Sequence, residues 1–197
     1  MNRLGEPSLR TELAEHVPSA PLRVRTWLGG IGRLFPRNPR VESVATTMDL
    51  AGPPHAIWER ILFYEEVPRR PAPLLQIFLP RPVRTDGNKT QADALVRCTY
   101  ERGHLVKRIT TVEPPSFVSF DVLEQHLGIE DCISMTGGSY TIRPVEGGSQ
   151  VVLTTNYRGH LRPRWLWRPL ERYLAHQVHR HILEGMREHI GRTGGLA

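Results

Sequence analysis

Residues Trp165 to Arg192 read WLWRPLERYLAHQVHRHILEGMREHIGR. Leu166, Leu170, Leu174, Val178, Ile182, Met186 and Ile190 recur at every fourth position, and Tyr173 and Leu183 widen the row. Side chains four apart are neighbours on a helix surface, so the spacing predicts one long amphipathic helix. Pro169 lies near its start and Gly185 interrupts it later. Continuous at 1.5 Å per residue, such a helix extends about 40 Å. Arg168, Arg172, Arg180, Arg187, Glu171 and Glu188 occupy its other faces. An apolar stripe of this length needs a second layer to cover it, and the preceding sequence supplies strands.

Working backwards, Gln150–Tyr157 and Ser139–Val145 flank Glu146-Gly147-Gly148-Ser149, a strong hairpin signal. Phe117–Glu124 (FVSFDVLE) holds Val118, Phe120 and Val122 in one phase. His104–Val112 and Ala94–Glu101 (ALVRCTYE) meet at the tight turn Arg102-Gly103. In the latter strand Val96, Cys98 and Tyr100 alternate with Arg97, Thr99 and Glu101, as in a half-buried strand. Val41–Leu50 (VESVATTMDL) reads as a first strand. Gly52-Pro53-Pro54 then turns into a short helix carrying Ile57, Trp58, Ile61 and Leu62 and ending near Glu66. Residues 67–90 are proline-rich and irregular. Adjacent strands joined by short turns form an antiparallel sheet. Such a sheet wets one face and must cover the other. The expected fold class is therefore α+β, a curved antiparallel β-sheet wrapped around a long C-terminal helix, over residues 41–193. Bending the sheet leaves space under the helix for a ligand.

Residues 1–40 read as a basic N-terminal extension, cut by Pro7, Pro18, Pro21, Pro36 and Pro39. They carry seven arginines against three glutamates, and residues 158–192 carry eight against three. The net charge of +6 thus resides at the two ends of the 197-residue chain. Lysine and arginine together number 26, yet the only lysines are Lys89 and Lys107. No apolar run approaches the roughly 20 residues of a membrane span, and no early stretch resembles a signal peptide. Two cysteines, Cys98 and Cys132, fit reduced thiols. The expectation is a soluble, cytoplasmic protein.

Four residues are candidate ligand contacts. Tyr100, Tyr140 and Tyr157 occupy apolar strand phases, where a phenol packs by its ring and orients a ligand by its hydroxyl. Glu124 shares the phase of Val118, Phe120 and Val122, so an unbroken strand aims it inward as a proton acceptor or anchor. A strand ending at Leu123 turns it to water instead. His104 and His126 read as exposed turn residues. His176 and His179 are three apart, but no carboxylate or thiolate completes a metal set beside them, so no metal and no cofactor are expected. A solvated basic helix face accounts for them. G-x-S-x-G, Walker and C-x-x-C motifs are absent, and the arginines do not alternate with aromatics as in nucleic-acid platforms.

Met48-Asp49-Leu50-Ala51-Gly52-Pro53-Pro54-His55-Ala56-Ile57-Trp58, Ser139-Tyr140-Thr141-Ile142-Arg143-Pro144, Gly148-Ser149-Gln150-Val151-Val152-Leu153-Thr154-Thr155 and the terminal helix, in this order, resemble the START-like, or polyketide cyclase/dehydrase-like, helix-grip superfamily that includes the Bet v 1 allergens. The resemblance covers about residues 41–192. It implies a cavity for lipids, sterols, polyketides or other apolar molecules, and no universal catalytic signature to carry over. The leading expectation is binding, with transport as one form of it, of a hydrophobic small molecule. The alternative is an enzyme of cyclase, aromatase or dehydrase type. Peripheral contact of residues 22–37 with an anionic membrane adds to either, through Arg23, Arg25, Arg33 and Arg37 beside Trp27. Nucleic acid is not an expected partner.

Overall fold

The computed structural model describes residues 39–194. The expected N-terminal extension, up to residue 38, and its membrane contact therefore lie outside the described residues. Strand β1 (Glu42–Ala51) leads into helix α1 (Pro54–Trp58), a 3-10 turn (Tyr64–Glu66) and helix α2 (Pro73–Phe78). Strands β2 (Pro82–Asp86), β3 (Leu95–Tyr100), β4 (Gly103–Glu113), β5 (Phe117–His126), β6 (Ile133–Val145) and β7 (Gly148–Gly159) follow, and helix α3 (Arg164–Gly194) comes last. All seven strands form one antiparallel sheet in the order β1-β7-β6-β5-β4-β3-β2. From β2 to β7 it is a simple meander, and β1 closes the far edge against β7. The sheet curls as a half-barrel around its inner face, and α3 packs on β1 and β7. The α+β class and the long terminal helix are as the sequence predicts.

Along β1 the even-numbered residues Val44 and Leu50 are buried and Thr46 and Met48 half-buried, while odd-numbered neighbours are more exposed. Along β7 Ser149, Val151, Leu153 and Tyr157 point the same way. This period of two builds the inner wall of the core. Phe63, Val96, Cys98, Ile109, Val118, Phe120, Tyr140, Ile142 and Leu183 join it in one apolar cluster. No helix among the described residues is long and apolar enough to cross a membrane.

Several local features differ from the sequence expectation. Strand β6 begins at Ile133, not Ser139, and runs through Gly137-Gly138. These glycines are not breakers. A Cβ on Gly138 would lie 2.5 Å from the Thr154 carbonyl oxygen and 2.8 Å from the Phe120 ring, so the position needs a residue without a side chain. The short helix stops at Trp58, well before Glu66. The chain extends at Phe63, whose N–H donates to Glu66 Oε2 at 2.7 Å and starts a separate turn. Residues 67–90 are not wholly irregular, because α2 and β2 form there.

The step-of-four row on α3 is also only partly inward. Residues four apart drift around a helix by about 40° per step, so a row of seven winds more than halfway round. Ile182, Leu183 and Met186 are buried, whereas Trp165, Leu166 and Tyr173 are largely exposed. The face that does point inward runs through Glu171, His179, Ile182, Leu183 and Met186, and two of those five are polar. Ionic contacts anchor the start of α3. Arg164 donates to Glu42 and Glu171 at 2.6 Å each, and Arg168 donates to Glu42 at 2.6 Å.

Candidate functional site

The inner faces of β3 and β4 present Val96, Cys98 and Tyr100 beside Leu105, Lys107 and Ile109. Lys107 points inward because strand alternation leaves it no other direction. The segment from Leu62 to Val67 lies over these strands and fills the inside of the curl with Phe63, Tyr64, Glu65 and Val67, all buried. Glu65 and Lys107 meet there as an ion pair at 3.4 Å, with side-chain exposures of only 1% and 5%. The Tyr100 hydroxyl donates to the other oxygen of the same carboxylate. The Lys107 ammonium also sits 4.0 Å from the centre of the Phe63 ring and 5.3 Å from that of Phe120, a cation–π arrangement in the core.

Burial raises the Glu65 carboxyl, but the charge of Lys107 and the Tyr100 hydrogen bond outweigh it and hold Glu65 below its usual range. Burial likewise pulls Lys107 down, and the charge of Glu65 lifts it above the ordinary lysine value. The pair is therefore ionised at neutral pH. Burial, then the charge of Glu65, raises Tyr100 well above a free phenol. Burial pushes the Cys98 thiol up to about 12, so it stays protonated and is no nucleophile at neutral pH. Tyr140 donates to the Leu62 carbonyl at 2.6 Å and holds the start of the same segment. Lys89 holds its end, donating to both oxygens of Glu66 at 2.7 and 2.8 Å. Both lysines of the chain thus grip adjacent glutamates of one 3-10 turn.

A second polar centre lies between α3 and the β1–β7 edge. His179 is fully buried, with Nδ1 at 2.9 Å from the Thr46 hydroxyl and Nε2 at 2.8 Å from the Thr155 hydroxyl. His176 Nδ1 contacts the same Thr46 oxygen at 2.8 Å. Burial, and then His176, depress His179 to about 4, so the ring is neutral. This corrects the expectation of a solvated histidine face. The 3.6-residue period carries His179 inward with Ile182 and Met186. Beside it a surface groove of about 430 Å³ runs between Thr46, Thr47, Tyr173 and Arg180.

Of the four residues singled out in the sequence, the structure brings two together. Tyr100 and Tyr140 flank the Leu62–Val67 segment. Tyr157 is buried on the inner face at the far edge, opposite Glu42. Its hydroxyl makes no hydrogen bond among the described residues, and burial, then the charges of Glu42 and Glu171, push it up to about 12. Glu124 does not point inward. Strand β5 continues to His126, but its pairing jumps from Lys107–Val122 to Val106–Glu124, leaving Leu123 as an extra residue. That bulge reverses the phase, and Glu124 is 55% exposed on the outer face. Glu65 and Lys107 were not singled out. A signal was present, since two lysines stand among two dozen arginines and one falls in the apolar phase of a strand.

No protein-family model matches the sequence, and no curated protein does. Solved structures do match. The Zhui aromatase/cyclase from Streptomyces superposes with a TM-score of 0.54 at 16% identity, covering 78% of this chain and 95% of the other. Norcoclaurine synthase from Thalictrum, a point mutant holding a transition state analogue, gives 0.53 at 11% identity, covering 80% and 99%. A protein from Thermus thermophilus gives 0.54 at 15% identity, covering 77% and 99%. At these identities the likeness is one of fold.

Proposed function

We propose, for a chain that has the helix-grip fold of the START-like, Bet v 1-type superfamily, that the inside of its curled sheet binds an apolar small molecule bearing an acidic or other acceptor group. One observation carries the reading. The interior holds a cation, Lys107, whose counter-charge comes not from the sheet but from Glu65 on a short connecting turn. Fold neighbours named as an aromatase/cyclase and as norcoclaurine synthase support the small-molecule class.

The ligand occupies the space of Leu62–Val67, and its acceptor group takes the place of the Glu65 carboxylate on Lys107 and Tyr100. Leaving Lys107 unpaired costs several kcal/mol, so a purely apolar molecule cannot displace the turn at equal affinity. The apolar body of the ligand replaces the burial of Phe63, Tyr64 and Val67, at roughly 25 cal/mol per Å². Tyr100 and Tyr140 form the wall; Tyr157 and Glu124 are not part of it.

Native mass spectrometry of the purified protein identifies what it carries. Thermal-shift titration with matched long-chain acids and alcohols tests the headgroup. The expected result is a saturable upward shift with the acids and a much smaller one with the alcohols. If nothing co-purifies and a broad lipid and aromatic library produces no shift, the binding function is rejected. Equal shifts with both series retain the pocket and reject the role of Lys107.

A second reading, turnover of a polyketide-like substrate, draws on Tyr100 and Lys107, connected through Glu65, as donors that can hydrogen-bond the developing charge of a reacting carbonyl within an apolar interior. Tyr100→Phe then loses turnover and keeps ligand affinity. Unchanged turnover in Tyr100→Phe and Glu65→Gln rejects it.

A further inference from the structure

On the outer face of the sheet, remote in direction from Lys107, three side chains of metal-binding type converge. His104 on β4 lies directly opposite His126 on β5, and Glu124 precedes His126 by two residues on the same face. His104 Nε2 is 3.3 Å from Glu124 Oε2, the two imidazole centres are 4.8 Å apart, and one donor atom of each residue lies within 4.8 Å of the other two. We infer that His104, Glu124 and His126 form a binding site for a divalent cation of the zinc class, with a fourth position open to water or to a ligand.

The bulge at Leu123 makes the constellation. Without the extra residue, Glu124 and His126 both stay in the inward phase of Val118 and Phe120, and neither meets His104 on the outer face. The neighbouring turn brings the strands together. Gly103 has φ +113° and sits where a Cβ would lie 1.6 Å from the His126 carbonyl oxygen, so only glycine permits the approach. The histidines are consequently paired by backbone hydrogen bonding, not by chance proximity of long side chains.

The donor set narrows the choice of ion to zinc and similar first-row transition metals. Two imidazoles and one carboxylate with an open fourth position is a ligand set zinc accepts, and imidazole disfavours calcium and magnesium. Tetrahedral ligands at roughly 2.0–2.1 Å stand about 3.4 Å apart, so the His104–Glu124 separation of 3.3 Å already fits, and the His126 donor closes from within 4.8 Å. The surroundings are mixed. Thr99 faces His104 across β3–β4, and Arg97 is opposite Val106, two residues along. Arg97 and Glu124 therefore flank the same Val106 in register, and the imidazoles supply most of the affinity.

Isothermal titration of the full chain with zinc chloride, and visible spectroscopy with Co²⁺, test the site. The expected result is one zinc per chain and the intense absorption of tetrahedral Co²⁺. Both are abolished in His104→Ala and in His126→Ala and weakened in Glu124→Gln, while His55→Ala, an exposed histidine elsewhere, leaves them unchanged. Zinc binding that survives both histidine substitutions, a weak octahedral Co²⁺ spectrum, or no binding overturns the proposal. Circular dichroism confirms that the variants, altered at surface positions, remain folded.

Discussion

Replacing Lys107 by methionine lowers the stability of the domain by about 3–5 kcal/mol at neutral pH, because it leaves the carboxylate of Glu65 buried without a counter-charge. In a domain of this size that lowers the melting temperature by roughly 6–20 °C. Glu65→Leu alone has a comparable effect from the other side, stranding the ammonium against the Phe63 and Phe120 rings. The double variant Glu65→Leu/Lys107→Met is expected to be more stable than either single one. An apolar pair of similar volume removes the desolvation cost along with the attraction. Urea unfolding of the four proteins closes the cycle. Additive losses, with the double variant worst, would show that the two groups act independently and would remove the ion pair as the organising contact of the interior. Retaining a pair that an apolar core can replace is costly unless the site is used, which is consistent with the proposed binding role.

Acidification gives the second large effect. His179 is depressed to about 4 in the folded state, against 6.5 for a free imidazole. Between these values the unfolded chain binds the proton and the folded chain does not. Stability is therefore fully present above about pH 6.5 and declines as the pH falls towards 4. A depression of this size corresponds to a loss on the order of 3 kcal/mol over the window. The groups facing the ring are Thr46 from β1, Thr155 from β7 and His176 from its own helix, and none offers a negative charge to offset protonation. His181, depressed by burial and then by Arg69, adds to the same window. His179→Gln keeps hydrogen bonding to the threonines and flattens the profile without abolishing it. Equal slopes for wild type and His179→Gln between about pH 6.5 and 4.5 would refute the assignment. Glu42 and Glu184, held low by their arginines, release their contribution only at the acid end of this range.

The strands that alternate cleanly were legible. Val96, Cys98 and Tyr100 point inward as their spacing requires, and the hairpin at Glu146–Ser149 forms where its glycines place it. Legibility failed where one residue changes the phase. At Leu123 an insertion invisible to periodicity moved Glu124, together with His126, from the inner face to the outer, and brought both to His104. It failed again at the start of β6, expected at Ser139, because Gly137 and Gly138 lie within the strand, Gly138 tight against Phe120. On α3, a row of apolar residues four apart gave the right helix but only part of the buried face, because the row winds around the axis: Ile182 and Met186 lie inside and Leu166 outside.

What the sequence by itself determined is the set of elements and their order, since these follow from local period and turn chemistry. A long C-terminal helix over an antiparallel meander is written in Trp165–Arg192 and in the strands before it. Only the tertiary structure decided the chemistry inside. The Glu65–Lys107 pair joins residues 42 positions apart, and the His179–Thr46 contact joins residues 133 apart. No local pattern encodes such a meeting. It exists because the curl of the sheet brings a connecting turn onto β3 and β4, and because burial makes an unpaired charge too costly to leave there.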